Sequence, residues 1–370
     1  MRLPGLHFIV PGSLDQRTGG YIYDARIIEG LRRRKWTVHV HNLEGEFPAG
    51  DTRARKSLAR SLTELPDGAG VVIDGLAMGA LPDLVRSHRG RLSVLALVHL
   101  LLADETQLKT DTRDRFRTLE AQALNASAGV LAASTFTKAR VEALGIDAAL
   151  VRAVPPGTAP ATPARGPGAQ APPRLLCVAS VTPRKGQDVL VRALTRLVDL
   201  SWTCVCAGSV TRSKPFADIV QRQTYEAGLA TRIQFLGECS ADIVDELYAT
   251  SSLFVLPSYY EGYGMVLTEA MARGLPVIST TGGAIPYTVP KKVGSLDVPG
   301  DDVALADAIR DVLSDSHPGA SCRTRLEKLA SASRSHALRL PNWDVATETF
   351  AGAVLDLSLI RISEPTRPRL

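Results

Sequence analysis

The sequence predicts an α/β protein made of two doubly wound parallel-sheet domains. Three observations predict it. Short apolar runs alternate with amphipathic stretches in the first half of the 370 residues, the pattern of βαβ units and a parallel sheet. A segment at 155–173 holds seven prolines and interrupts that rhythm near the midpoint. The same rhythm then restarts. Two domains also suit the length, at roughly 150 residues each.

Each element follows from its local pattern. In the first half, strands are expected over 7–11, 37–43, 71–74, 92–99 and 129–133. Helices are expected over 20–34, 52–65, 113–124 and 135–144. In the second half, strands are expected over 175–179, 203–207, 233–236, 253–257 and 276–279, with helices such as 187–198, 241–249 and 302–313 between them. The domains are therefore placed at 1–154 and 174–340, with 155–173 as the linker. A terminal amphipathic helix is expected over 341–357, carrying Trp343, Val345, Phe350, Val354 and Leu355. Residues 358–370 contain Pro365 and Pro368, which oppose a helix. The run LSLIRISEPTR at 357–367 resembles a translated sequencing adapter, so 358–370 are set aside as an artefactual tail.

Composition narrows the function. The net charge of +5 is small for this length and suits an anionic small substrate at least as well as DNA, while 5% aromatics disfavours base stacking. Five cysteines without a C-x-x-C argue against a disulfide framework or a zinc site and for buried thiols in a cytoplasmic protein. No run reaches the roughly 18 apolar residues of a membrane span.

The segment 257–280, PSYYEGYGMVLTEAMARGLPVIST, concentrates the chemistry. A strand ends, glycines turn the chain, and a helix opens at Gly264, Met265, Val266 and Leu267. The N–H groups of such a helix start favour an anion. Glu261 precedes the helix, and Glu269 lies within it among apolar residues, where a carboxylate is costly unless something donates to it. A second segment, ASVTPRKGQDVL at 179–190, follows the first strand of the second domain. Arg184 and Lys185 there place two cations at a strand end, where an anionic ligand would be neutralised. A third, SLDQRTGGY at 13–21, sets Gly19 and Gly20 in the first strand-to-helix turn. His99 ends an apolar strand, followed by Asp104 and Glu105 as candidates for binding hydroxyls.

Residues 257–280 resemble the E-x7-E signature of the family-4 glycosyltransferases, including the trailing E-A-x-A-R-G-x-P-V. The resemblance implies the GT-B fold: two Rossmann-like domains facing each other across a cleft, with ligands at the strand ends. It implies a retaining transferase moving a sugar from a nucleoside-diphosphate sugar to a hydroxyl acceptor (a glycan, a lipid-linked or a small molecule). The donor sugar would fall to Glu261, the ribose to Glu269, the diphosphate to Lys185 and the glycine loop to Gly19 and Gly20. His99 would stand near the reaction centre. In the family an arginine stands where this chain has Ser180, and Arg184 is expected to supply that charge. An acidic residue is usual where Tyr287 stands, so the loop of Gly282 and Gly283 is read as donor-side structure. The terminal helix would return to the N-terminal domain.

The Pro-rich segment would permit closure that excludes water. No D-x-D occurs, which agrees with a metal-independent enzyme without a resident cofactor, its donor being a co-substrate. Arg32, Arg33, Arg34 and Lys35 complement the C-terminal dipole of the first helix. They also offer a peripheral contact with an anionic membrane at its inner face. Two other readings stay open: a sugar-nucleotide epimerase on the same fold, which the E-x7-E context disfavours, and a non-catalytic sugar-nucleotide-binding partner, which Ser180 favours.

Overall fold

The computed structural model describes residues 5–168, 170–314 and 325–363, with side chains to residue 358. The chain divides into two compact units, Met1–Gly157 with Pro341–Leu370, and Thr158–Leu340.

The first unit runs β1 (Gly5–Pro11), α1 (Gly19–Arg33), β2 (Thr37–Leu43), α2 (Thr52–Glu64), β3 (Gly70–Asp74), α3 (Gly75–Met78), α4 (Pro82–His88), β4 (Ser93–Val98), α5 (Thr110–Ala126), β5 (Gly129–Ala132), α6 (Thr135–Glu142) and β6 (Val151–Ala153). Its six strands are parallel in the order β2-β1-β3-β4-β5-β6. Strands β3, β4 and β5 are buried on both faces, as a sheet covered by helices on both sides must be. Local signals start the helices. Asp51 caps α2 by accepting from Ala54 N–H, and Ser134 caps α6 by accepting from Thr137 N–H.

The second unit runs β7 (Arg174–Val178), α7 (Gln187–Thr195), β8 (Thr203–Ala207), α8 (Lys214–Glu226), β9 (Ile233–Gly237), α9 (Ala241–Ala249), β10 (Leu253–Leu256), α10 (Met265–Ala272), β11 (Val277–Thr280), α11 (Ile285–Thr288), β12 (Gly294–Asp297), α12 (Asp302–Ser314) and α13 (Arg325–Ala337). Its parallel order is β12-β11-β10-β7-β8-β9. Counted from the first strand of the unit, this is the Rossmann order 3-2-1-4-5-6 read backwards, and it reverses direction between β7 and β10. In the first unit the reversal falls between β1 and β3. Such switch points open a crevice at the carboxyl ends of the strands, and they select the loops after β1, β3, β7 and β10.

Residues 155–173 form neither helix nor strand, yet they are tied down. Ala164 N–H donates to Arg273 O at 2.7 Å, Arg165 N–H to Ala249 O at 2.8 Å, and the Arg165 side chain pairs with Glu246. From Thr158 onward the segment belongs to the second unit rather than spanning free between two bodies.

The last helix, α14 (Trp343–Ser363), returns to the first unit. Asn342 Oδ1 accepts from the Asp344 and Val345 N–H groups and starts it. Gly30 of α1 lets α14 approach: a Cβ there would lie 2.2 Å from Thr347 Oγ1. Phe350, fully buried, stacks on Phe8 at 6.2 Å, and Leu357, also fully buried, covers Gly129. The helix continues to Ser363 instead of ending at 357, because no proline or glycine interrupts 353–363 and the first breaker is Pro365.

The free thiols of Cys177, Cys204 and Cys206 lie inside the second sheet, and Cys322 falls outside the described residues. Among the described residues no helix is long and apolar enough to cross a membrane. Because Phe350 fills a closed site between α14 and β1, Phe350→Ala is expected to cost about 3–5 kcal/mol of unfolding free energy, read by denaturant melts of the two proteins. A loss below about 1 kcal/mol would show that α14 is not part of the first unit's core.

Candidate active site

In the second unit the switch-point loops bring Glu261, Lys185 and Arg184 together. Lys185 Nζ donates to Glu261 Oε1 at 2.5 Å, and Ser258 Oγ donates to the same oxygen at 2.6 Å. Arg184 Nη1 lies 3.5 Å from Glu261 Oε2 and donates to Tyr260 O at 2.9 Å. Glu261 is 5% exposed. Burial pushes its carboxyl upward, but Lys185 and Arg184 outweigh that and hold its pKa below the usual 4.5. The carboxylate is therefore ionised, held between Lys185 and Arg184.

The backbone makes this meeting possible. Arg184 and Lys185 sit in a single 3-10 turn, Pro183–Lys185, which Gly186 ends at φ +68° before α7 begins. A Cβ at Gly186 would meet Pro257 O at 2.3 Å, so only glycine lets the two loops touch. Glu261 bridges to Gly283, and Ala284 N–H donates to Glu261 O at 2.8 Å. The loop of Gly282 and Gly283 thus fixes Glu261 from behind, and Tyr287 beyond it is 71% exposed.

Gly264, at φ +87°, caps α10 beside this cluster. Met265 and Val266 carry N–H groups of its first turn. The Leu267 N–H is spent on Gly264 O at 2.9 Å and its side chain is in the core, so Leu267 supports the turn rather than offering a contact. Glu269, half-buried, accepts from Tyr248 Oη at 3.1 Å, the donor that a carboxylate among apolar residues requires. Ser180, in the expected arginine position, has its carbonyl engaged by Gln187 Nε2 at 3.1 Å. Arg184 lies four residues further on the same loop, in the Pro183–Lys185 turn.

In the first unit His99 follows the end of β4. Its Nε2 lies 3.0 Å from Asp24 Oδ1, and Asp24 is fully buried on α1. Asp74 ends β3 at the switch point, and one ligand atom from each of Asp24, Asp74 and His99 lies within 4.8 Å of the others. Burial disfavours a proton on the imidazole, but the charge and hydrogen bond of Asp24, aided by Asp74, hold the His99 pKa above the ordinary 6.5. Burial, and then the charge of Asp24, push the Asp74 carboxyl from 3.8 up to about 7. Gly20 opens α1 directly under the ring: a Cβ there would lie 3.2 Å from His99 Cδ2. Gly19 precedes it as the first, exposed residue of α1.

Sequence reasoning missed Asp24, Asp74 and Ser258. Asp24 carried a signal, since it precedes Ile27 and Ile28 by the helical three and four residues and so falls on the buried face of α1. Asp74 carried another, as a carboxylate closing an apolar strand. Asp104 does not stand open to a hydroxyl acceptor: Arg140 binds it through Nη2 at 2.5 Å and Nε at 3.1 Å. Glu105 accepts from Thr106 N–H at 2.9 Å. Of the basic run, Arg32 donates to Val38 O at 2.9 Å and Arg33 to Glu29 at 2.8 Å, while Arg34 donates to Asp344 O at 2.8 Å. These cations tie α1 to β2 and α14, and Lys35 adopts φ +67° just beyond the helix.

The raised Asp74 pKa gives a signed pH dependence. The folded state holds the Asp74 proton more tightly than the unfolded chain, so its contribution is complete below about pH 3.8. That contribution is lost as pH rises toward about 7. Asp74→Asn keeps an acceptor for Leu76 N–H and removes the titration. Relative to the native protein the variant is expected to gain stability between pH 5 and pH 8 in parallel denaturant melts, and a constant difference across that range would contradict the buried carboxyl.

Comparison with known proteins agrees with this architecture. Residues 163–333 match the family model described as Glycosyl transferases group 1. The chain is 30% identical over 190 residues to the GDP-mannose-dependent alpha-(1-6)-phosphatidylinositol monomannoside mannosyltransferase of Mycobacterium tuberculosis, covering 48% of this chain and 46% of that protein. It is 34% identical over 182 residues to the lipopolysaccharide core biosynthesis mannosyltransferase LpcC of Rhizobium leguminosarum bv. viciae, covering 48% of each. The chain thus spans about half the length of these curated relatives. Among solved structures, sucrose-phosphate synthase from Thermosynechococcus elongatus superposes with a TM-score of 0.80 at 20% identity, over 96% of this chain and all of that one. Anabaena HepE in complex with UDP and glucose superposes with a TM-score of 0.72 at 19% identity, over 94% of this chain and 99% of that one. The chain has the GT-B fold, and its second unit carries a glycosyl transferases group 1 domain.

Proposed function

We propose that the protein is a retaining glycosyltransferase of family 4 that moves a sugar from a nucleoside-diphosphate sugar to a hydroxyl acceptor. The observation that carries the reading is the cluster of Arg184, Lys185 and Glu261 at the switch point of the second sheet. Its two cations and the start of α10 both favour a diphosphate at the same strand ends. Support comes from the group 1 match, which spans these residues, and from HepE, a structure of the same fold solved with UDP and glucose.

In this reading Arg184 and Lys185 stabilise the departing diphosphate in place of a metal ion, and Glu261 receives hydroxyls of the donor sugar. Glu269 receives the ribose hydroxyls, while Gly264, Met265 and Val266 bring backbone N–H groups to the phosphates. Gly19, Gly20 and His99 are the first unit's contribution. The Asp24 carboxylate fixes the His99 ring and favours its protonated form, which suits a donor to a sugar or acceptor hydroxyl. The names of the mannosyltransferase relatives point to a mannose donor and a lipid-linked acceptor. In that case Arg32–Lys35 would meet anionic headgroups in competition with Glu29 and Asp344.

The test is transfer or donor hydrolysis with GDP-mannose and UDP-glucose, with and without EDTA. Activity is expected to persist in EDTA. Glu261→Gln is expected to lower turnover by about 10²–10³ without weakening nucleoside-diphosphate affinity, because the loss falls on the sugar end and Lys185 is released for the anion. Lys185→Ala is expected to weaken both, since it meets the diphosphate before and during departure. Full turnover in Glu261→Gln overturns the assignment, and a native protein that binds the nucleotide without transfer or hydrolysis selects the non-catalytic reading.

A further inference from the structure

Three histidines outside the candidate site share one face of the first sheet. His39 and His41 are two residues apart on β2, so their side chains point the same way. His7 on β1 is the register partner of His39. β2 is the edge strand of its sheet, His39 is exposed, and His7 and His41 are partly so. The rings already gather: His7 Nδ1 is 3.0 Å from His41 Nε2, and the His7 and His39 rings stack with centroids 5.0 Å apart. Ile9 and Leu43, next on this face of the two strands, are buried in one core with Leu58 and Leu62 of α2. Glu64, the last residue of that helix, places its charge near His41.

We propose that His7, His39 and His41 form a binding site for one divalent transition-metal ion of the zinc or nickel type. Two nitrogens of a tetrahedral site with metal–nitrogen bonds of about 2.0–2.1 Å stand about 3.3 Å apart, a few tenths from the 3.0 Å between His7 and His41. The i, i+2 spacing on a strand gives His39 and His41 one direction of approach, and the register places His7 beside them. The His39 ring, stacked on His7, stands outside the pair of His7 and His41 and turns toward it in the metal-bound form to complete a three-nitrogen set. Water, or the Glu64 carboxylate, takes the fourth position. Imidazole ligands select zinc, copper or nickel over magnesium and calcium.

The site owes nothing to the proposed transfer reaction, and its test reads binding alone. The full chain, stripped with EDTA and dialysed, is titrated with zinc chloride at pH 7.5 against a chromophoric competitor. One equivalent is expected to bind, with a second titration in magnesium showing none. His39→Ala/His41→Ala is expected to weaken that equivalent by more than about tenfold, since losing two ligands cannot cost less than the 10–100-fold attributed to outer-shell partners. His7→Gln, which keeps a polar side chain beside the edge strand, is expected to weaken it as well. Thermal melts without metal establish that each variant is folded, and any variant that is not is replaced by its single His39→Asn counterpart. Equal zinc affinity in the native protein and the folded variants, or no saturable equivalent in the native protein, overturns the site.

Discussion

A buried carboxylate held between two cations organises the second unit. Glu261 is removed from water, and its ionised form survives there because Lys185, Arg184 and Ser258 replace the lost hydration. Removing one partner of such a pair leaves an uncompensated buried charge, typically costing about 3–5 kcal/mol. That constraint reaches back into the sequence. Gly186 must be a glycine for the lysine turn to lie under Pro257, and Gly283 must be one for the loop behind Glu261, where a Cβ would sit 2.4 Å from the Glu261 carbonyl oxygen. The reversal of strand order between β7 and β10 puts both turns at one crevice, so topology, backbone and charge converge on the same few residues.

The first unit solves the opposite electrostatic problem. Its switch point gathers two buried carboxylates around one imidazole instead of two cations around one carboxylate. Two like charges so close cannot both be left ionised without cost, and Asp74 answers by keeping its proton up to about pH 7. Asp24 then acts on His99 as the nearer anion, and Gly20 leaves room for the ring. The two sheets thus present strand ends of different character: one pairs two cations with a carboxylate, the other a histidine with two buried acids.

Periodicity made most of this architecture legible. Residues 37–43 read as a strand from alternation and apolar content, and β2 occupies that span; other long elements differ by a few residues at their ends. The short ones left no period to read: α3 has four residues, and β6 has three. Strand order was not legible, because it depends on which apolar faces meet. Nor was the pairing of Lys185 with Glu261, 76 residues apart, or of Asp24 with His99, 75 apart. Composition marked 155–173 as unable to form helix or strand. It gave no sign that Ala164 and Arg165 would find backbone partners on Arg273 and Ala249, because those partners exist only once the second unit has folded. The tail from 358 onward falls mostly outside the residues whose side chains are described.

The pairing of Glu261 with Lys185 also changes how single residues of the cluster can be interpreted. Taken from the sequence, one holds a sugar and the other a diphosphate, as independent contacts. In the folded unit they hold each other at 2.5 Å, so each sets the charge and direction of its neighbour before any ligand arrives. An arriving anion would compete with Glu261 for Lys185 and leave the glutamate to Arg184 and Ser258. Groups coupled in this way do not contribute additively, and a double-mutant cycle between them reports an interaction term rather than two separate roles.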